Sequence, residues 1–287
     1  KGRPAVPFET IAVAIAFSPR MEAIIGEAWR LAGTFHSKLL LMHIGDRTRA
    51  KEAQLDEIFR RLGVDESKVR VIWNEGEPVD TLLELCKLNI VDLLITGAMQ
   101  KENVLKYYLG SVARQISRKA KCSVLLLVNP VKTGTRFRKI MVNGISSKKT
   151  GETIQAAVYF AKHIGAKEMT VAVELDDQGL SMTVSEESTA SEAYRFKKDL
   201  TADEVGKVHD IVTRLTQDGD LTITEKVLKG KPGFAIRQYA ETKKADLLVI
   251  NSPDGKYGLI DRIFTHDMEY ILEDLPCNIL IVHSRER

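Results

Sequence analysis

Asp92-Leu93-Leu94-Ile95-Thr96-Gly97 recurs later in the chain as Asp246-Leu247-Leu248-Val249-Ile250-Asn251, 154 positions further on. A second pair of apolar runs, 122–128 and 277–283, recurs with an offset of 155. Solenoid repeats have periods of about 20–50 residues, so a period this long indicates two copies of a whole domain. The repeat therefore predicts two domains of one fold, and each copy can be compared with the other.

The length and composition agree with two globular domains. The chain has 287 residues, of which 44% are hydrophobic, an ordinary fraction for a soluble protein of roughly 150 residues per domain. The segment 129–138 contains Pro130 and Gly134 and is typical of a linker. We place the boundary there, so that the first half is 1–132 and the second half is 133–287.

The charge of the chain argues against a nucleic-acid partner, because the formal net charge is only +3. Some basic residues gather on one short segment, namely Arg114, Arg118, Lys119 and Lys121. We interpret this segment as the solvated face of a helix near its carboxyl end, where cations also suit the helix dipole. A phosphate or an acidic partner is the alternative.

Cysteine and histidine usage favours a reducing compartment and no metal site. The three cysteines, Cys86, Cys122 and Cys277, have no CxxC spacing, and the six histidines have no zinc-ligand spacing. No apolar run approaches the ~18 residues of a membrane span. We therefore expect a cytoplasmic protein with no membrane span in this chain.

Apolar runs and helical patterns alternate along both halves. The run 11–17 is continuous and apolar, as is typical of a strand buried on both faces, and 21–34 has helical spacing. Each half is predicted to contain five strands separated by helices, which gives α/β domains with doubly wound, Rossmann-like parallel sheets. The second half departs from the pattern over about 175–200, which is polar and predicted to be a surface loop, followed by a helix over 202–216.

The fifth strands, 123–128 and 278–283, are candidates for the edges of the two sheets. Unpaired apolar edges favour aggregation. Pairing the two strands antiparallel within the chain would satisfy both edges and create a pseudo-twofold axis, so we expect the halves to be joined there.

The first half carries a candidate binding site in the loop that follows its fourth strand. Ligands of open parallel sheets bind at the carboxyl ends of the strands, where the winding reverses. This loop runs from Gly97 through Gln100 to Gly110 and Ser111. Glycine permits close approach of the backbone, and a helix start offers free N–H groups to a phosphate. The same residues also fit a glycine turn with a capping serine, and local evidence leaves both interpretations open.

The chain resembles tandem universal stress proteins, which belong to the HUP superfamily of adenine nucleotide alpha hydrolase-like domains. The resemblance rests on the repeated Asp-Leu-Leu segments, the Gly-Ser helix start and the Cys-x-Val-Leu-Leu strand, and covers nearly the whole chain. Nucleotide-binding members carry G-x2-G-x9-G-S/T, a spacing kept here with Gln100 at the second glycine. The resemblance implies that Gly97 approaches the phosphates and ribose of ATP or another adenine nucleotide, and that Gly110, Ser111 and Val112 hold the phosphates. It also implies the edge-strand pairing, and we expect a homodimer.

Both halves depart from the family pattern. Nucleotide-binding members have an aspartate at the end of strand one, where this chain has Ala16 and, in the second half, Ile145. The side chain of Gln100 either clashes with a ligand or replaces a lost contact. The second loop lacks all three glycines and contains Asp254 and Phe264, so its nucleotide loop is degenerate. We do not expect the second half to bind ATP in the family's way.

These features favour a regulatory binding protein of the stress response that senses an adenine nucleotide through its first half. No general base is identifiable, so an enzyme is less favoured. One alternative is a cytosolic regulatory domain of a membrane transporter, because the chain begins at Lys1 rather than Met and we interpret it as part of something longer. A second alternative is a weak nucleotide hydrolase that uses Ser111.

Overall fold

The computed structural model describes residues 4–100, 107–132, 134–144, 149–175, 190–215, 221–252 and 266–283. The strands are β1 (Thr10–Ala14), β2 (Lys38–Ile44), β3 (Val69–Asn74), β4 (Leu93–Gly97), β5 (Met99–Gln100), β6 (Tyr107–Tyr108), β7 (Ser123–Leu127), β8 (Lys139–Asn143), β9 (Glu168–Leu175), β10 (Thr222–Lys229), β11 (Leu247–Asn251) and β12 (Asn278–Val282). The helices are α1 (Met21–Phe35), α2 (Arg49–Leu62), α3 (Pro78–Leu88), α4 (Ser111–Lys119), α5 (Thr150–Ile164), α6 (Ala190–Leu215), α7 (Phe234–Lys243) and α8 (His266–Glu273).

Ten strands form one sheet in the order β10-β9-β8-β11-β12-β7-β4-β1-β2-β3. Neighbouring strands are parallel throughout, except for the antiparallel pair of β7 and β12 at the centre. Each half contributes five strands, and their order from the centre outward is the same. The predicted pair of doubly wound sheets joined through their edge strands is confirmed. A domain boundary between 132 and 133 stays a prediction.

The seam between β7 and β12 is closed by one polar side chain at the start of each strand. The amide of Val128 donates to Asn278 Oδ1 at 2.9 Å, and the amide of His283 donates to Ser123 Oγ at 3.3 Å. Ser123 and Asn278 are equivalent in the repeat, so the two bonds are related by the pseudo-twofold axis. The first side chain of each strand thus accepts a hydrogen bond from the backbone amide that follows the other strand.

The aspartates that open the repeated segment fix the central strands. The Asp92 carboxylate accepts a hydrogen bond from the Thr10 amide at 2.8 Å. In the second half, Asp246 accepts from the amides of Arg138 and Lys139 at 2.9 and 2.8 Å. The aspartate therefore ties β4 to β1 and β11 to β8, which explains in structural terms why both copies contain it.

Helices α3 and α7 are equivalent but are capped in different ways. In α3 the side chain of Glu77, the residue before the helix, accepts from the Val79 amide at 2.9 Å. In α7 the residue before the helix is Gly233, which has no side chain to offer. Glu174, at the end of β9, accepts from the amides of Gly233 and Ile236 at 2.9 Å each. A carboxylate from a neighbouring strand therefore replaces the local cap.

The two halves share a hydrophobic core on one face of the sheet. Phe35 of α1 stacks on Tyr159 of α5 with ring centroids 5.5 Å apart, and Phe8 meets both rings edge-on. The fully buried Phe160 extends this contact. Aromatic packing therefore joins the halves beyond the β7–β12 seam.

On the opposite face, an ion-pair cluster joins α4 to α8. Arg114 and Arg118 both donate to the carboxylate of Glu269, whose side chain is 19% exposed. The predicted solvated face is thus confirmed for Lys119 and Lys121, which are exposed, but not for the two arginines, because α8 of the second half packs against them and leaves them only partly exposed. The alternative was an acidic partner, and Glu269 of the same chain is that partner for the two arginines.

The polar segment of the second half is shorter than predicted. Helix α6 begins at Ala190 rather than at 202, so a loop over 190–200 is wrong, and 176–189 lie outside the described residues. The segment 190–200 contains neither glycine nor proline, so nothing in its local sequence stops the helix from extending. Polarity alone was a poor indicator of a loop here.

None of the helices formed by the described residues is long and apolar enough to cross a membrane.

We expect the three thiols to be unreactive in the native protein. A hydrogen bond with Cys122, followed by burial, raises the pKa of Cys86, and burial with the nearby Asp246 raises that of Cys277. All three cysteines are free and buried, as predicted. Because the thiolate is the reactive form, an aromatic disulfide reagent should label none of them at mildly alkaline pH, and all of them after denaturation. Rapid labelling of one thiol in the folded chain would contradict this expectation.

Candidate functional site

The winding of each half reverses at one point in the sheet. In the first half the chain moves outward from β1 to β2 and β3 on one side, and from β4 to β7 on the other. In the second half the equivalent reversal lies between β8 and β11. We call the carboxyl ends of these strand pairs the first crevice and the second crevice. Open α/β sheets bind ligands in such positions.

The predicted nucleotide-binding residues lie beside the first crevice. Gly97 ends β4, and Gly110 is the residue before α4, with no side chain capping the helix. Ser111 is exposed, and Val112 is 43% exposed. The first N–H groups of a helix have no partner within the helix, so this amino terminus can donate to an anion. Gln100 lies in β5, on the hairpin that connects Gly97 to Gly110.

That connection differs from an open phosphate loop. Met99 pairs with Tyr108, and Gln100 with Tyr107, in a short antiparallel hairpin. The carbonyl of Tyr107 accepts a hydrogen bond at 3.0 Å from the amide of Leu275 in the second half. Residues 101–106 lie outside the described residues. The hairpin is therefore anchored on the other half, a contact that sequence reasoning missed because two-residue strands leave no periodic pattern.

Side chains of the protein itself cover both glycines. A β-carbon at Gly97 would lie 2.8 Å from Ile24 Cδ1, and one at Gly110 would overlap Met99 Sδ. Ile24 belongs to α1, and Met99 is 52% exposed. A larger residue at either position would therefore have to move one of these flexible side chains. A ligand that reaches the Gly110 backbone must displace Met99.

A basic side chain that sequence reasoning missed spans the first crevice. Arg20, the residue before α1, donates hydrogen bonds to the carbonyls of Ala98 and Val128. Its guanidinium lies 5.7 Å from the centroid of the Tyr107 ring. Burial lowers the pKa of Arg20, and the Tyr107 phenol opposes that shift. The available signal was an arginine where helices prefer Ser, Thr, Asp or Asn.

The second half repeats this arrangement with a lysine. Lys149 precedes α5 as Arg20 precedes α1. Its Nζ donates to the carbonyl and to the hydroxyl of Ser252, each at 3.1 Å. Ser252 is the equivalent of Ala98 in the repeat. A cation at the start of the first helix therefore crosses the crevice in both halves.

Aromatic rings fill the region next to Ala16, where the family resemblance places the adenosine end. Phe17 stacks on Trp73 with centroids 5.9 Å apart and meets His43 edge-on at 4.9 Å. His43 Nδ1 lies 3.1 Å from the carbonyl of Ile15, and this bond fixes the imidazole. These rings form a packed wall beside the first crevice.

The second crevice is filled by buried polar side chains. Asn251, which stands where the first half has Gly97, accepts a hydrogen bond from the Thr153 hydroxyl at 2.5 Å. Asn143 donates to Glu174 at 3.2 Å, and both are buried. Residues 145–148 and 253–265, including Ile145, Asp254 and Phe264, lie outside the described residues. That this half does not bind ATP stays a prediction.

The sequence matches a known family over two long segments, and the fold matches solved structures over nearly the whole chain. The model of the universal stress protein family matches residues 45–127 and 136–283. A universal stress protein of Methanocaldococcus jannaschii is 23% identical over 151 residues, which cover 53% of this chain and 85% of that protein.

Solved structures share the fold of the complete chain. A universal stress protein from Archaeoglobus fulgidus has a TM-score of 0.69 at 13% identity, covering 98% of this chain and 100% of that one. A putative universal stress protein from Pseudomonas aeruginosa has a TM-score of 0.67 at 18% identity, covering 97% and 94%. The cytoplasmic domain of a prokaryotic cation chloride cotransporter has a TM-score of 0.51 at 14% identity, covering 97% and 96%. With its two matched segments and its duplicated sheet, the chain belongs to the universal stress protein family.

Proposed function

We propose that this protein is a cytoplasmic regulatory protein that senses an adenine nucleotide through its first half. The observation that supports this proposal is the amino terminus of α4, which is exposed, has no side-chain cap and lies at the carboxyl edge of β4. The N–H groups of Ser111 and Val112 and the positive end of the helix dipole suit a phosphate there. Gly97 and Gly110 lie beside it, and the backbone of Gly110 becomes accessible when Met99 moves away.

Binding would couple the first crevice to the interface between the halves. Met99 covers Gly110, so a phosphate at α4 has to move that side chain. Met99 belongs to the hairpin whose Tyr107 carbonyl is held by Leu275 of the second half. A nucleotide would therefore shift the contact between hairpin and second half, and this shift is the signal we propose. A homodimer stays a prediction.

Calorimetric titration of the whole chain with ATP and AMP tests the site through Ser111→Pro. Proline is well tolerated at the first position of a helix, and Gly110 already has the extended backbone, φ −64° and ψ 163°, that a following proline needs. The substitution removes one N–H and the hydroxyl from the site but preserves α4. We expect affinity for ATP to fall by at least about tenfold, the loss of one charge-assisted hydrogen bond.

Ser111→Ala is the matched control, because it removes only the hydroxyl. It should weaken binding less than Ser111→Pro does. The absence of binding heat in the unmodified chain, or equal affinity in the Ser111→Pro chain, would overturn the proposed site. Phosphate release that disappears in Ser111→Ala would instead support a weak hydrolase.

A second candidate role is regulation of a membrane transporter. The cytoplasmic domain of the cotransporter shares this fold across 97% of the chain. At 14% identity this likeness concerns the fold alone. Gene sequence upstream of Lys1 that encodes apolar spans of about 20 residues would support this role.

A further inference from the structure

A basic cavity lies at the amino edge of the first half, opposite the first crevice. It has a volume of about 350 Å³, within the range of small-ligand sites. Its polar lining comprises three cations, two hydroxyls and one amide, contributed by Lys38, Lys68, Arg70, Thr10, Ser67 and Asn89. None of the described residues that line it carries a carboxylate.

The strand register brings the cations together. Leu39 of β2 pairs with Val69 of β3 in parallel. The residues that precede this pair, Lys38 and Lys68, therefore lie side by side. Arg70 pairs with Leu40 and lies on the same face as Lys38. Like charges side by side across strands are destabilising. All three cations are exposed, so solvent screens part of their repulsion, but together they give this edge a positive potential that attracts anions.

Few carboxylates compensate this charge. Lys68 pairs with Asp65 at 3.3 Å, and both side chains are exposed. The ion pairs among the described residues include neither Lys38 nor Arg70, whose guanidinium contacts the amide oxygen of Asn89 at 3.3 Å. The nearby Asp92 carboxylate is buried and hydrogen-bonded to the Thr10 amide.

The second half supplies an internal comparison, because its equivalent positions have lost the cations. In the repeat, Lys38 corresponds to Glu168, and Arg70 corresponds to Thr224. Thr222, the counterpart of Lys68, pairs with Glu168 in the sheet. On its other side Glu168 pairs with Lys139 of β8, so a carboxylate lies beside a cation at this edge. The fold therefore does not require a basic cluster at this edge.

We propose that the cavity binds a compact phosphate-bearing anion, either free phosphate or pyrophosphate or the phosphate group of a small ester. The guanidinium of Arg70 presents paired donors that match phosphate oxygens, and the two ammonium groups supply the remaining charge. The hydroxyl of Thr10 and the second N–H of the Asn89 amide add neutral donors, while the Ser67 hydroxyl donates to the Asp65 carboxylate at 2.6 Å. This site is separate from the proposed nucleotide site and lies at the other edge of the sheet.

Titration with pyrophosphate at constant ionic strength tests the proposal. The whole chain carrying Ser111→Pro is used as the reference, so that α4 does not compete for the probe. The test variant adds Lys38→Glu and Arg70→Thr, which are the residues of the second half. We expect saturable binding in the reference chain and at least about tenfold weaker binding in the variant, because charge-assisted hydrogen bonds are lost. Phosphate and phenyl phosphate then distinguish a free anion from an ester.

Lys226→Glu combined with Lys229→Thr is the matched control, since it removes the same three units of charge from exposed positions of β10 in the second half. It should leave pyrophosphate affinity unchanged. The thermal midpoint of the test variant without ligand should equal or exceed that of the reference, because like-charge repulsion is relieved. Non-saturable binding, equal affinity in the test variant, or an equal loss in the control would each overturn the proposal. None of these outcomes depends on whether ATP binds at α4.

Discussion

Replacing Glu174 with alanine should lower the free energy of unfolding by about 3 kcal/mol. Its carboxylate accepts from the amides of Gly233 and Ile236 at the start of α7, and it is only 8% exposed. The substitution leaves two buried N–H groups without their acceptor, and each such group costs about 1–3 kcal/mol. It also removes the acceptor of the Asn143 amide. Urea denaturation of the whole chain measures the change.

Glu77→Ala is the matched control, because it removes the equivalent cap from α3 in the first half. Glu77 caps its own helix near the surface, where water can replace it, so we expect a cost of only about 1 kcal/mol. Amide exchange should show α7 loosened in the Glu174 variant and α3 in the Glu77 variant. Unchanged amide exchange in α7 of the Glu174 variant would contradict its role as the cap, and equal losses from the two substitutions would contradict the larger cost expected for the buried carboxylate.

Reversing the charge of Glu269 should lower the free energy of unfolding by about 2–3 kcal/mol, because it weakens the contact between the two halves. In Glu269→Arg, three cations would meet between α4 and α8, where Arg114 and Arg118 now share one carboxylate. The side chains of Glu269 and the two arginines are 19–38% exposed, so solvent screens part of the repulsion. We therefore expect a smaller loss of stability than for a fully buried ion pair. The loss should shrink at high salt.

Combining Glu269→Arg with Arg114→Glu and Arg118→Glu tests whether the effect belongs to this cluster. Opposite charges are then restored with their places exchanged, and most of the lost stability should return. The same urea denaturation measures all variants. A triple variant that is no more stable than Glu269→Arg alone would show that the single substitution acts through local packing of α8.

Much of the architecture was predictable because the chain contains its own comparison. Helix α2 begins at Arg49 and ends at Leu62, and Thr48 and Gly63 are local sequence signals at its two ends. The antiparallel pairing of β7 with β12 follows from two apolar edges that cannot stay exposed. Local patterns fail at α6, where a polar sequence forms a helix from Ala190.

The site was only partly predictable. Gly97, Gly110 and Ser111 stood out because glycine and a helix start have local signatures. Arg20 and Met99 did not, because their roles depend on the carbonyls and backbone that other strands bring beside them. The basic cavity was equally invisible, since Lys38 and Arg70 are 32 positions apart and meet only through the register of β2 and β3.

By itself the sequence determined a duplicated α/β fold, because hydrophobic periodicity is a local property of the chain and the repeat is visible along it. Only the tertiary structure decided which charges meet: Glu174 with α7, Glu269 with α4, and three cations at the edge of one sheet. The reason is physical. Strand order and register convert distant positions into neighbours, and electrostatic interactions depend on distance in space rather than on separation along the chain.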